Sequence, residues 1–256
     1  MIFFTFKRLN LTIKGNMPYL TWITDTALKI AVRHLIQITI DAQTEAESNF
    51  HKNVVDPFSA LFQMAGFNLD FNTWRSNEIR RQSQKTMQNA VGAFHQEILG
   101  NLSPNPNRWE DLRVGQTIDI RSQPLRIIAE VKNKWNTVSF GNLSDLYKKL
   151  DNLVNDTHGE YSGWKAYYVP IISKVPGRYE RHFTPSDKSR RGQRCRTDDN
   201  ILETDGASFY ALVTRDEFAL RDLFSVLPTV VRDYTEFDLN GIDGLMELFR
   251  IAFSME

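Results

Sequence analysis

The run Ile127-Ile128-Ala129-Glu130-Val131-Lys132 constrains this chain more than any other stretch. Four apolar residues, three of them β-branched, read as a buried strand. A carboxylate and an ammonium alternate with them. Side chains two apart on a strand share a face, so Glu130 and Lys132 emerge side by side. Removing such groups from water is costly unless they are paired or bind something. Either the strand is a sheet edge whose charges prevent aggregation, or its charged end faces a ligand.

Asp119 sharpens the ligand reading without excluding the charged edge. A turn near Ser122–Pro124 makes residues 117–132 a β-hairpin and brings Asp119 to the same end of the sheet as Glu130. Two carboxylates and an ammonium make a poor structural cluster but suit a hard divalent cation beside a phosphate. Mg²⁺ takes oxygen ligands, here Asp119, Glu130 and the carbonyl of Val131. Lys132 would hold the attacking water and balance charge on the phosphate. Burial would lower its pKa while the carboxylates raise it. Glu130–Lys132 is the sole Asp/Glu-x-Lys in the chain.

At 256 residues, 41% of them hydrophobic and 24% charged, the chain suits one large domain. A single cysteine, Cys195, excludes an internal disulfide and fits a reducing cytoplasm. The apolar run before Lys7 and Arg8 is too short for a signal peptide or a membrane span. Met17 is a plausible alternative start, which makes residues 1–16 an extension and 17–256 the domain. Net charge is zero, yet residues 171–196 carry eight Lys/Arg against Glu180 and Asp187, while residues 197–256 are strongly acidic. A basic segment in a neutral protein points to an anionic partner, or to no more than a solvated loop.

Helices are expected at 24–49, capped by Thr24 or Asp25, within 53–72, and at 76–99, capped by Ser76 and ended by a left-handed Gly100. Another is expected over Ser144–Val154. Trp164–Ile172 reads as a strand that Pro170 assigns to an edge or an end. Residues 174–200 read as irregular, SFYALVT (208–214) as a fourth strand after a turn at Asp205–Gly206, and 215–226 and 241–253 as helices. The sum is an α/β mixed sheet flanked by helices: a helical part (17–100), a sheet (115–214) and C-terminal helices (215–256).

The pattern DI-x9-EVKNKWNT resembles the PD-(D/E)xK nuclease motif, and more narrowly the type II restriction endonucleases related to SinI and AvaII. GQTIDI (115–120) departs from that family in its glycine spacing, and Trp135 stands where the family has His. NVVDPF (53–58), EIRRQSQKTMQNAVGAFHQEILG (78–100), YYVPIISKVPGRYERHFTPSDK (167–188) and TDGASFYALVT (204–214) extend the resemblance over nearly everything from Met17 onward. It implies a restriction-endonuclease-like fold and a Mg²⁺-dependent homodimer cutting double-stranded DNA at a palindrome of the GGNCC or GGWCC kind. A cognate cytosine methyltransferase would protect the host. Alternatives are a PD-(D/E)xK repair or structure-specific nuclease, and a non-catalytic DNA-binding module.

Within this picture Glu78 is an accessory carboxylate for the metal or an ordinary first-turn partner of the helix dipole. His95 is a core histidine or, with Gln96, a contact to DNA or the active site. Lys134, Asn136 and Thr137 are turn residues or phosphate contacts. Arg178, Arg181, Lys188, Arg190, Arg191, Arg194 and Arg196 would contact DNA, reading guanine or gripping phosphate.

Overall fold

The computed structural model describes residues 17–52, 54–112, 118–235, 239 and 244–254. The expected extension, Gly115–Thr117 of GQTIDI and the start of the last helix lie outside the described residues. Three helices come first: α1 (Asp25–Ser48), α2 (Pro57–Phe67) and α3 (Phe71–Gly100). Side chains of Thr24, Asp56 and Asp70 accept backbone N–H groups at the three N-termini. Thus α3 starts at an Asp70 cap, ahead of the expected Ser76, and Glu78 lies past its first turn. Gly100 ends the helix without a left-handed turn. Its role is close approach: a Cβ there would sit 2.5 Å from Cβ of Asp111.

Then come β1 (Trp109–Asp111), β2 (Ile120–Ser122), β3 (Ile127–Lys134), α4 (Phe140–Asn155), β4 (Lys165–Ile172), β5 (Glu180–His182), β6 (Ile201–Thr204), α5 (Gly206–Thr214), α6 (Ala219–Arg232) and α7 (Leu245–Phe253). The described strands form one mixed sheet of order β1-β2-β3-β4-β6-β5. The hairpin β2–β3 is antiparallel as expected, whereas β3, β4 and β6 run parallel. β4 is therefore interior. It tolerates Pro170 because its pairing with β6 stops at Tyr168.

SFYALVT is helix α5, not a strand. Asp205 caps it by accepting the Ser208 N–H at 2.9 Å. A short apolar run without alternation fits either element. The segment read as irregular contributes the short β5, and β6 follows it.

One core joins α1, α3, α5, α6 and α7 to the sheet face bearing Ile127, Ala129 and Val131. A second places Leu146, Tyr147 and Leu150 of α4 against Ile128, Ala166 and Tyr168 on the other face. Glu130 and Lys132 continue the Ile128 row toward the end of β3, on the α4 side. A third, small cluster of Ala46, Phe50, Ala60, Trp74 and Ile79 joins α2 to the distal ends of α1 and α3.

Candidate active site

β2 pairs with β3 from Ser122↔Ile127 as far as Ile120↔Ala129, so both backbone groups of Val131 lie past the last pair. Its N–H donates to Oδ2 of Asp119 at 2.7 Å, fixing that carboxylate against the strand. Lys132 Nζ lies 3.3 Å from the same oxygen and 2.8 Å from Oε1 of Glu130. The three residues named from sequence therefore form one contact network. Burial, followed by the charge of Glu130, raises the pKa of Asp119. Burial pulls Lys132 down, but Asp119 and Glu130 outweigh it and the net direction is up. Lys132 is an ammonium here, which suits it to donate rather than to accept a proton.

Two further side chains reach the site. Lys149 of α4, absent from the sequence reading, donates to Oε2 of Glu130 at 3.1 Å. The faint signal for it was position: Lys149 flanks the Leu146–Leu150 stripe of an amphipathic helix facing the sheet. Gln96 of α3 donates to the Val131 carbonyl oxygen at 3.2 Å. That contact is possible because α3 comes close to β3 at Gly92, where a Cβ would lie 3.7 Å from the Asn133 nitrogen.

Paired carboxylates on a partly buried strand end are hard oxygen donors whose mutual repulsion a divalent cation would relieve. Asp119 and Glu130 thus fit such an ion, with the Val131 carbonyl beside them. No group of three or more His, Cys, Asp or Glu with metal-site geometry occurs among the described residues. Any cation held here would complete its shell with water or substrate oxygens.

The accessory candidates separate. His95 is buried and its Nδ1 lies 2.8 Å from the Tyr210 hydroxyl. Burial lowers its pKa to about 4. It is a neutral core histidine. Glu78 is gripped by Arg81 Nε and Nη2, both at 2.6 Å, and this lowers its pKa. It sits about 27 Å along α3 from Gln96 at 1.5 Å per residue, so it does not join the carboxylate pair.

Lys134 and Thr137 close a turn through two hydrogen bonds, Lys134 N–H to Thr137 Oγ1 at 3.2 Å and Thr137 N–H to the Lys134 carbonyl at 3.0 Å. Their side chains and that of Asn136 are exposed.

The basic segment is a strap rather than a free loop. Phe183 and Cys195 anchor it in the α4 core. Lys188 pairs with Asp145, and Arg196 pairs with Asp151 at 2.7 Å, so both ends hold α4. Arg190 pairs with Asp187 at 3.2 Å and Arg181 with Glu203 at 2.9 Å. Arg178 and Arg194 donate to the carbonyls of Glu217 and Thr184. Arg191 is exposed on the same strap. The basic end of each of these ion pairs is exposed to solvent.

No described helix is long and apolar enough to cross a membrane.

The family model for the Eco47II restriction endonuclease matches residues 20–236. The type II restriction enzyme Eco47II of Escherichia coli is 44% identical over 244 residues, spanning 93% of this chain and 100% of that protein. The type II restriction enzyme Sau96I of Staphylococcus aureus is 28% identical over 221 residues, spanning 85% of this chain and 82% of that protein. No solved structure matches significantly.

Proposed function

The chain belongs to the Eco47II restriction endonuclease family, and on that premise we propose that its Asp119–Glu130–Lys132 network cuts both strands of a short GGNCC-like palindrome. As a family member it is a type II restriction enzyme, hydrolysing double-stranded DNA at specific sites within a restriction system. Enzymes of this class generally use a divalent metal; Mg²⁺ is the ion proposed here. The observation that carries the reading is the convergence of Asp119, Glu130 and Lys132 past the last β2–β3 pair, with Lys132 within 3.3 Å of both carboxylates.

Asp119 and Glu130 would hold the cation, with the Val131 carbonyl as the third protein oxygen. The cation when bound polarises the phosphoryl oxygen and acidifies water. Lys132, freed from one carboxylate, donates to the attacking water or to a non-bridging phosphate oxygen and offsets the negative charge that develops there. Lys149 keeps Glu130 oriented. The products are 5′-phosphate and 3′-hydroxyl ends. Lys134, Asn136 and Thr137 at the strand end, and the strap carrying Arg178, Arg181, Lys188, Arg190, Arg191, Arg194 and Arg196, contact the duplex at phosphates or guanine edges, with Arg181, Lys188, Arg190 and Arg196 leaving internal carboxylates and Arg178 and Arg194 leaving carbonyls. A palindrome calls for two symmetric copies, so the enzyme acts as a homodimer in the cytoplasm. A cognate cytosine methyltransferase protects host DNA.

The test is digestion of unmethylated phage DNA with Mg²⁺ or EDTA, by wild type and Lys132→Ala, followed by sequencing of the ends. Ends sharing one GGNCC-like site, absent with EDTA and in the variant, are expected. Random ends, or full cleavage by Lys132→Ala, contradict the proposal.

A further inference from the structure

α3 does not stop where the catalytic strand stops. Gln96 meets Val131 through its hydrogen bond, and Gly92 meets Asn133, whose backbone nitrogen would lie 3.7 Å from a Cβ there. Two residues of β3 advance about 6.6 Å while four of α3 retreat about 6 Å, so the two elements run side by side and antiparallel. β3 ends at Lys134. Asn133 makes the last tie, its Nδ2 donating to the Gln88 carbonyl at 3.2 Å. The part of α3 from Phe71 to Gln88 therefore overhangs the strand end by roughly 25 Å.

The overhang has an inner side. Counting from Gln96 toward the N-terminus in alternate steps of four and three gives Gly92, Asn89, Lys85, Gln82 and Glu78, one stripe of an α-helix. Gln96 and Gly92 face the sheet, so the rest of the stripe faces the space that continues the sheet beyond β3. Asn89 and Lys85 are exposed, and among the described residues neither side chain has a hydrogen-bond or ion-pair partner. Gln82 donates to Glu78 at 2.9 Å, and Arg81 balances the charge of Glu78. α3 packs in the core on the Val131 face, whereas the basic strap is anchored in the α4 core. The two therefore flank the strand end from opposite faces of the sheet.

The chemistry of these two walls differs. The strap is dense in arginine, which suits phosphate. The stripe offers one cation unmatched by a carboxylate, Lys85, and one amide, Asn89. An amide carries both a donor and an acceptor. Phosphate oxygens only accept, whereas base edges in the major groove present both kinds of group. Depth agrees with this. Asn89 and Lys85 stand about 10 and 16 Å along α3 from Gln96, and the major groove is about 8.5 Å deep. A phosphate held at Asp119 and Glu130 leaves nearby base edges within reach of Asn89 and of the long Lys85 side chain.

We propose that this stripe of α3 reads the recognition sequence, with Asn89 and Lys85 contacting base edges in the major groove. The proposal rests on the nuclease reading above and adds residues that set which site is cut.

The experiment is binding of the full chain to DNA, by fluorescence anisotropy with Ca²⁺ in place of Mg²⁺. The duplexes carry the site found by sequencing the digestion ends, that site with single base pairs changed, or an unrelated sequence. Wild type is compared with Asn89→Ala and Lys85→Met, and thermal melts report the fold. Both positions are exposed and both replacements favour helix. Each variant should bind the cognate duplex at least about tenfold more weakly. Affinity for the unrelated duplex should change less than about threefold, so discrimination against at least one changed base pair shrinks. Equal weakening on every duplex, with the salt slope of Lys85→Met reduced by about one, marks phosphate contacts and overturns the proposal. Unchanged discrimination by folded variants overturns it too, and specific cleavage by wild type then leaves the nuclease reading intact. A wild type that neither prefers nor cuts any site overturns both.

Discussion

Lys149, on α4, donates to Oε2 of Glu130, on β3, across 3.1 Å, while Lys132 holds Oε1 at 2.8 Å. Each oxygen of the carboxylate thus faces its own ammonium. A divalent cation held here, as proposed, would have to compete with both, and the carboxylate's direction is set in its absence. This makes Lys149 a positioning residue with two separable effects. Replacing it by methionine removes a positive charge next to the cation, so the Mg²⁺ concentration for half-maximal cleavage should fall. The rate at saturating Mg²⁺ should drop roughly tenfold as Glu130 loses its second anchor. Calcium titration, followed without turnover, should show tighter binding in the variant. Unchanged metal affinity and unchanged rate together would reduce Lys149 to a surface ion pair.

Asp119 shares Lys132 with Glu130 in a partly buried corner, so without a cation the fold carries two crowded carboxylates. Asp119→Asn keeps an acceptor for the Val131 N–H but removes one of the negative charges. The metal-free variant should melt higher than wild type while cleavage falls at least about 1000-fold. Mg²⁺ should raise the melting temperature of wild type and leave the variant nearly unmoved. A variant that melts lower than wild type without metal would refute the claim that this corner is held under electrostatic strain.

His95 gives the pH dependence. Its folded pKa of about 4 lies below its ordinary value of 6.5, so between those values the unfolded chain binds the extra proton. Stability supplied by neutral His95 is therefore complete above about pH 6.5 and is lost as the pH falls toward 4, by up to about 3 kcal/mol. The titratable group facing the ring is Tyr210, which burial keeps neutral. Other groups also titrate, so the quantity to measure is the difference in unfolding free energy between wild type and His95→Gln from pH 7 to pH 4. That difference should shrink on acidification. A constant difference would show that the ring does not titrate on unfolding.

Two glycines test the packing in opposite senses. A Cβ at Gly206 would stand 2.6 Å from the Ile171 carbonyl oxygen and 2.7 Å from its Cα, where the end of β4 meets the start of α5. Gly206→Ala should cost about 1–3 kcal/mol or more, since backbone has to shift. Gly141, in α4, meets nothing within 4 Å, so Gly141→Ala should stabilise by up to about 1 kcal/mol through helix propensity. Urea melts of both variants give the signs directly.

The contact network of Asp119, Glu130 and Lys132 was legible because it is local. Asp119, Glu130 and Lys132 fall on one hairpin, and strand periodicity alone puts Glu130 and Lys132 on one face. The second anchor of Glu130 was not, because Lys149 arrives from another element and nothing in a linear pattern states that α4 covers that row. His95 and Gln96 are neighbours in sequence, yet a turn of about 100° per residue sends one into the core and the other to Val131. Similarly, SFYALVT carries no period to separate helix from strand, and the Asp205 cap decided it. The basic run was visible as charge, but its fastening to Asp145 and Asp151 depends on tertiary contacts that composition does not encode.

α3 is an unbroken helix of 30 residues, about 45 Å long. Trp74 near one end packs with α2, and Gln96 near the other holds the Val131 carbonyl. A stiff rod magnifies angles into displacements. Were it pivoted near its first turn, a tilt of about 2° would move Gln96 by roughly 1.2 Å, over a third of the 3.2 Å span of the Gln96–Val131 hydrogen bond. α1 runs along this rod and β3 and β1 meet it at Gly92 and Gly100, so the register of Gln96 on β3 is held by the whole shaft rather than by either end.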